Sequence, residues 1–428
     1  MRLAVTFVSL LLASHAWSDY RDGTEALKAK DYQLAAKEFK SQAQIGYAKA
    51  TMAFANMLKK GQTADAYAAS AWFALAQEQG EPKASRALKS ALKNLSDDEL
   101  AEHHAQAKSL IDRYGSAALD SNLLPSNTGK RTEPNFPLLM DKRIPATMSG
   151  MFSFIGSQIL DFEFDVDKYG QARDYQLYHK ATDKYIDHAI KQIQAKQLSP
   201  AVGHRFRMVY TRYDLSPEQY GDARLLRKLK KRAETGSPYR KYYYAHAQEV
   251  AESLNHKYSA LDSNEWYLKA AQGGYAKAQY IVGRRILHGE DFDPDQAKGT
   301  RWLELSSDNG DPYASYLLAK LSVFQGNEDR AQQYFQRASD QGHTTAQLLV
   351  ARACVLSGKV DQAQALLEAA EDHLDKVTWH YTAALIANAQ GDKSAASKHR
   401  DRVSQWLSTY GFSQAVAEDL DVQLAETS

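Results

Sequence analysis

Cysteine is nearly missing from this 428-residue chain: the single Cys354 allows no intramolecular disulfide. Lying in the stretch Leu348 to Leu356, apolar but for Arg352, it reads as a small buried side chain of a helix core rather than a nucleophile. With only 10 prolines, the chain has no long Pro-rich spacer. It also lacks an excess of charge of either sign. Its 53 Lys and Arg face 52 Asp and Glu, and a net charge of +1 gives no general attraction to nucleic acid or to an anionic membrane surface. Apolar stretches of spanning length are missing too, so no integral membrane segment is expected in the mature chain. Signatures of catalysis are absent: no His-Glu-x-x-His, Gly-x-Ser-x-Gly, Gly-x-x-x-x-Gly-Lys or Cys-x-x-Cys. Ser90-Ala91-Leu92-Lys93 matches Ser-x-x-Lys, but it lacks its partner motifs and falls in an Ala-rich helical stretch. No catalytic residue, metal ligand or cofactor is therefore assigned.

What is present is an ordinary folded composition, 44% hydrophobic and 25% charged, long enough for two or three domains. The chain opens with Arg2, then the apolar run Leu3 to Ala13, then small residues at Ser14 and Ala16. These are the three regions of a secretory signal peptide over 1–18, with cleavage after Ala16 or Ser18 and export to the periplasm. A retained anchor is disfavoured, because such a core rises about 16 Å against about 30 Å of hydrocarbon.

Self-alignment brings together Gly46-Tyr47-Ala48-Lys49-Ala50, Gly80-Glu81-Pro82-Lys83-Ala84, Gly274-Tyr275-Ala276-Lys277-Ala278, Gly310-Asp311-Pro312-Tyr313-Ala314 and Gly342-His343-Thr344-Thr345-Ala346, at spacings of 34, 36 and 32 within blocks. Phe39, Phe73, Tyr267, Leu303 and Phe335 stand seven residues before these glycines. A glycine just past a helix end takes the left-handed conformation, and an alanine one turn into the next helix lets backbones approach. A second register, Gly326, Gly358 and more weakly Gly391, marks the turn inside each hairpin, and Trp379 to Ala389 with Ser394 to Trp406 read as a capping pair. One unit carries Val282-Gly283, Gly289, Pro294-Asp295, Ala297, Trp302 and Gly310, and it resembles the Sel-one-like repeat, a relative of the tetratricopeptide repeat. The resemblance is specific over 262–346 and looser over 23–115 and 346–408. It implies an α-solenoid scaffold that binds proteins or peptides.

Between the repeat blocks, Pro125, Pro134, Pro137 and Pro145 stop any helix. Leu160, Phe162, Phe164 and Val166 then alternate with Asp161, Glu163, Asp165 and Asp167. A turn at Lys168-Tyr169-Gly170, a helix over 183–197 and a last strand through Phe206, Met208 and Tyr210 complete a β-β-α-β unit. With Phe136-Pro137 and Leu198-Ser199-Pro200-Ala201, this stretch resembles the C-terminal domain of TonB, a periplasmic energy transducer, over about 132–215. The resemblance implies capture of a peptide by β-augmentation at an edge over 203–214. The membrane helix and Pro-rich spacer of that family's transducers are missing here, so the expectation is a retained fold used for protein recognition.

The basic stretch Arg224 to Arg232 surrounds Leu225, Leu226, Leu229 and Ala233 and reads as a solvated helix face. His103 and His104 point about 100° apart on a helix, which disfavours a shared metal and suits surface positions. Asp161, Glu163 and Asp165 read as the wet side of a hairpin. The expected architecture is mostly α, an α-solenoid of helical hairpins flanking a small α+β domain. Its segments are a signal peptide at 1–18, repeats at 19–121, the TonB-like domain at 122–215 and further repeats at 216–428. The expected function is a non-catalytic scaffold of the cell envelope with a protein or peptide partner and no nucleic acid. Candidate contact residues are Phe206, Met208, Tyr210 and Arg212 on the strand, and Tyr242, Tyr243, Tyr244 and Tyr280 on the repeats. The alternatives are a TonB-like transducer component for outer-membrane transport and, behind it, a hydrolase of envelope polymers.

Overall fold

The computed structural model describes residues 19–126, 139–140, 159–166, 172–180, 207–214, 223–254, 263–289, 291–409 and 413–426. The expected signal segment, the expected helix over 183–197 and Phe206 lie outside these residues. α1 (Tyr20–Lys28) starts where Asp19 accepts from the Arg21 and Asp22 N–H groups while Asp22 closes the reciprocal half of a capping box. A turn through Lys30, at φ 65°, leads into α2 (Tyr32–Ala43), capped by Asp31. α3 (Ala48–Lys59) and α4 (Ala69–Glu78) make the next hairpin. α5 (Ala84–Leu92) and α6 (Asp97–Tyr114) both pack on α4, and α7 (Ser116–Asn122) follows. β1 (Leu139–Met140), β2 (Ile159–Val166), β3 (Ala172–Lys180) and β4 (Arg207–Asp214) form one sheet. After them come α8 (Ala223–Thr235), α9 (Pro238–Leu254), α10 (Ser263–Gln272), α11 (Ala276–His288) and α12 (Gln296–Asp308). The chain closes with α13 (Pro312–Phe324), α14 (Glu328–Asp340), α15 (Thr344–Leu356), α16 (Val360–Ala369), α17 (Lys376–Ala389), α18 (Lys393–Thr409) and α19 (Ala415–Glu426).

The fold is mostly α and built from helical hairpins. Gly46, Gly80, Gly274, Gly310 and Gly342 all have φ between 87° and 91°, where a side chain is strained, and each separates one hairpin from the next. The expected turn glycines Gly326, Gly358 and Gly391 lie inside hairpins at φ 72° to 80°. A polar rung recurs in the same register. Thr51 Oγ1 donates to Gln79 Oε1 at 2.5 Å, Asn309 Nδ2 to Gln279 Oε1 at 2.8 Å, and Ser315 Oγ to Gln341 Oε1 at 2.5 Å. In each rung the residue five places after one repeat glycine bonds the residue just before the next, tying a hairpin's first helix to the end of its second. Each such bond contributes about 1 kcal/mol net and costs more if one partner is left alone in the interior.

The helices fall into two compact units, one holding α1 to α7 with α8 to α12, the other β1 to β4 with α13 to α19. In the first, Phe39, Phe54, Trp72 and Phe73 are all but inaccessible, with Phe54 edge-on to Trp72 at 4.8 Å between centroids. Segments far apart in sequence are joined there through backbone carbonyls. Trp302 Nε1 donates to Leu123 O at 2.9 Å, Lys298 Nζ to Asp120 O and Leu124 O at 2.7 and 2.8 Å, and Tyr20 N to Gly273 O at 3.1 Å. α11 and α12 touch at Gly283 and Gly299, where an added Cβ on either would sit within 3.0 Å of the other's carbonyl oxygen.

In the second unit the strand order is β1-β4-β2-β3. β2 runs antiparallel to both β3 and β4, and Phe164 and Val166 are buried as the alternation expects. The open edge expected at β4 is corrected: this strand lies between β2 and β1, with Leu139 and Met140 paired in parallel to Val209 and Tyr210. Among the described strands β3 is outermost. The three hairpins from α13 to α18 end under α19, whose Ala417 and Leu420 pack on Leu385, Val403 and Leu407. Arg400 grips Asp421 with two bonds of 2.7 and 2.5 Å, so α19 extends the expected α17 and α18 cap.

Candidate functional site

α9 begins at Pro238 and brings four tyrosines together, which helical spacing then sorts by exposure. Tyr242, Tyr244 and Tyr280 are buried, which withdraws them as contact residues for a peptide. Tyr242 lies 4.8 Å from the Tyr275 ring and 5.8 Å from Tyr267, and Tyr244 stands edge-on to Trp266 at 5.0 Å. They are core side chains, because two residues apart on one helix point to nearly opposite sides and α9 is covered on both. Tyr243 is 44% exposed and stacks at 6.3 Å on Tyr239, which is 51% exposed and rests edge-on against Tyr275 at 5.8 Å. Tyr239 was not among the candidates. Its signal was the four-residue spacing from Tyr243, which places both rings on one face.

The cations around this pair divide in the same way. Arg240 is exposed, whereas Lys241 is buried, with Nζ 3.0 Å from Gly236 O and 5.6 Å from the centre of the Tyr47 ring. Burial, aided by the charges of Lys49 and Lys269, lowers its pKa to about 8. On α8, Leu226 and Ala233 are buried while Arg227, Lys228, Lys230, Lys231 and Arg232 are exposed, the solvated face that the sequence suggested. An exposed aromatic pair thus sits on a ring-filled support, and the preceding helix in sequence exposes basic side chains.

The remaining candidates are not gathered into a site. Met208, Tyr210 and Arg212 occupy β4 opposite Asp165, Glu163 and Asp161 of β2, while Phe206 lies outside the described residues. His103 is a correction: it is buried, with Nδ1 3.1 Å from Ser70 Oγ, and burial lowers its pKa. Cys354 is buried in the core of α15 and α16. Among the buried acids of the first unit, which also include Asp19, Glu38 and Asp311, Glu249 accepts from the Tyr267 hydroxyl at 2.7 Å and from Arg285 at 2.5 Å, and burial drives the Tyr267 pKa well above its usual value. That acid is therefore committed to an internal network. Among the described residues no group of three or more His, Cys, Asp or Glu is placed to hold a metal, and no helix is long and apolar enough to cross a membrane.

No protein-family model matches the chain, and no curated protein does. Among solved structures it is similar to a Sel1 repeat protein from Oxalobacter formigenes, at 19% identity and a TM-score of 0.35, over 44% of this chain and 80% of that one. It is also similar to c5321, a protective antigen of uropathogenic Escherichia coli strains displaying an SLR fold, at 15% identity and a TM-score of 0.30, over 95% of this chain and 83% of that one.

Proposed function

We propose that the chain is an exported, non-catalytic scaffold of the cell envelope that binds a protein partner through the Tyr239–Tyr243 face of its first unit. The observation that carries this reading is the exposed, stacked tyrosine pair seated on buried Tyr275. Rigid aromatic rings already held in place lose little freedom on binding and are the side chains that most often anchor an interface. The exposed bases of α8, the preceding helix in sequence, favour a partner that also carries acidic residues. Export rests on the signal-like run over residues 1–18 and agrees with a helix cap that starts at Asp19, one residue after the second expected cleavage point.

The test is a crosslinkable amino acid placed at Arg240, beside the pair, in the full-length chain in its native envelope. A Tyr239→Ala/Tyr243→Ala double variant should lose at least about 90% of the crosslinked partner, since each buried aromatic anchor is worth about 2 kcal/mol or more. An unchanged crosslink yield in the folded double variant would remove this face from the proposal. Mass measurement of the mature N-terminus decides export: a chain beginning at Trp17 or Asp19 supports it, and an intact Met1 supports the transducer alternative.

A further inference from the structure

The third hairpin of the second unit holds a pair of histidines that the scaffold role does not use. His380 of α17 and His399 of α18 present their Nδ1 atoms to each other at 3.0 Å, with ring centroids 5.2 Å apart. Both side chains are half-buried, so solvent and small solutes reach the pair. Trp379 stands against both rings, at 5.1 and 5.8 Å.

Two imidazole nitrogens this close share either one proton or one metal ion. Ligands about 2.1 Å from a metal lie about 3.0 Å apart when they subtend a right angle, and about 3.4 Å apart in a tetrahedron. The observed separation is that of a shared proton, and a shift of about 0.4 Å or less in the ligand spacing accommodates either coordination angle. The ion would lie off the line between the nitrogens, reached by a turn of each ring about its broad Cβ–Cγ torsion.

We propose that His380 and His399 form a two-imidazole site for a divalent late transition metal, Cu2+ or Ni2+ in preference to Zn2+, with water completing the coordination. The pair is free to ligate at neutral pH. Burial first, then the charges of His399, Arg402 and Lys376, bring the His380 pKa down to about 4, and burial with Lys398 lowers that of His399. Those same cations repel hard dications such as Mg2+ and Ca2+, which gain little from nitrogen ligands. Copper and nickel bind imidazole most strongly among the divalent ions of the series and outweigh that repulsion. A bound ion would clasp α17 to α18 at one point along the hairpin.

The experiment titrates CuCl2, NiCl2 and ZnCl2 into the full-length protein at pH 7.5. It follows tryptophan fluorescence and, for copper, the nitrogen hyperfine pattern in electron paramagnetic resonance. The expected result is one strong equivalent with two nitrogen ligands, quenched Trp379 emission and a raised Tm. A His380→Gln/His399→Gln double variant with unchanged far-UV circular dichroism should bind at least about tenfold more weakly, the scale on which loss of metal-site contacts acts. Trp379→Phe should keep the binding and lose the quench. Equal affinity in wild type and double variant would overturn the proposal, as would a wild type that binds neither copper nor nickel below about 100 μM, where a shared proton would be the pair's whole role.

Discussion

His288 ends α11 with its side chain 8% exposed, and among the described residues neither ring nitrogen has a hydrogen-bond partner. Burial, with the charge of Arg284 adding to it, lowers its pKa from 6.5 to about 3. The folded-state value is therefore the depressed one, and between the two values the unfolded chain binds more protons. Stability from this residue is present in full above about pH 6.5 and is lost as the pH falls toward about 3. At about 1.4 kcal/mol per pH unit the loss is about 2 kcal/mol at pH 5, with a ceiling of about 5 kcal/mol in stronger acid. His288→Leu removes both the titration and two unpaired polar atoms, so the variant should be at least as stable as wild type at pH 7.5. Hydrogen exchange of the α11 peptides at pH 7.5 and 5.0, corrected for intrinsic rates, separates this local effect from the rest of the chain. Wild type should lose about 30-fold more protection than the variant between the two conditions, the factor that matches 2 kcal/mol. Equal losses in the two proteins would show that protonation of His288 does not oppose folding, and the reasoning would fail.

Gly299→Ala places a Cβ 2.6 Å from Leu287 Cγ and 3.0 Å from Gly283 O, so α11 and α12 must separate. The expected cost is about 1–3 kcal/mol in urea unfolding, with Gly80→Ala as the contrast, strained in φ but with no atom within 4 Å. Trp302→Phe keeps most of the apolar ring but withdraws the donor from Leu123 O, at about 1–3 kcal/mol. Exchange should quicken in α7 and leave α13 to α18 unchanged, and a uniform response would refute the local weld.

The hairpin frame was legible because its signal is stereochemical. Gly46, Gly80, Gly274, Gly310 and Gly342 recur in sequence since each takes the same left-handed turn, and a side chain there is strained. Leu160 to Val166 was legible for a similar reason, as a strand buried on one face alternates. The weld between α7 and α12 was not. Trp302 and Lys298 donate to the carbonyls of Leu123, Asp120 and Leu124, and a carbonyl acceptor carries no trace of its residue type. The polar rungs escaped notice because Thr51–Gln79, Gln279–Asn309 and Ser315–Gln341 keep the geometry while exchanging the residues.

The candidate site was legible in composition and illegible in position. The cluster of tyrosines on α9 is visible in the sequence, but Tyr242 and Tyr244 are enclosed from both sides, and that enclosure comes from Trp266, Tyr267 and Tyr275 on other segments. In the same way β4 reads as an edge until Leu139 and Met140, nearly seventy residues earlier, pair with Val209 and Tyr210. Both errors run in one direction: a segment taken alone looks more available than it is, because its covering partner is distant in the chain. The tyrosines that do reach solvent, Tyr239 and Tyr243, are those whose shared helical face meets a ring on one side, Tyr275 beneath Tyr239, and water on the other. A partner that recognises α9 through its tyrosines must therefore approach from the Tyr239 face, and substitutions at Tyr242 or Tyr244 would weaken such binding only by loosening the support under it.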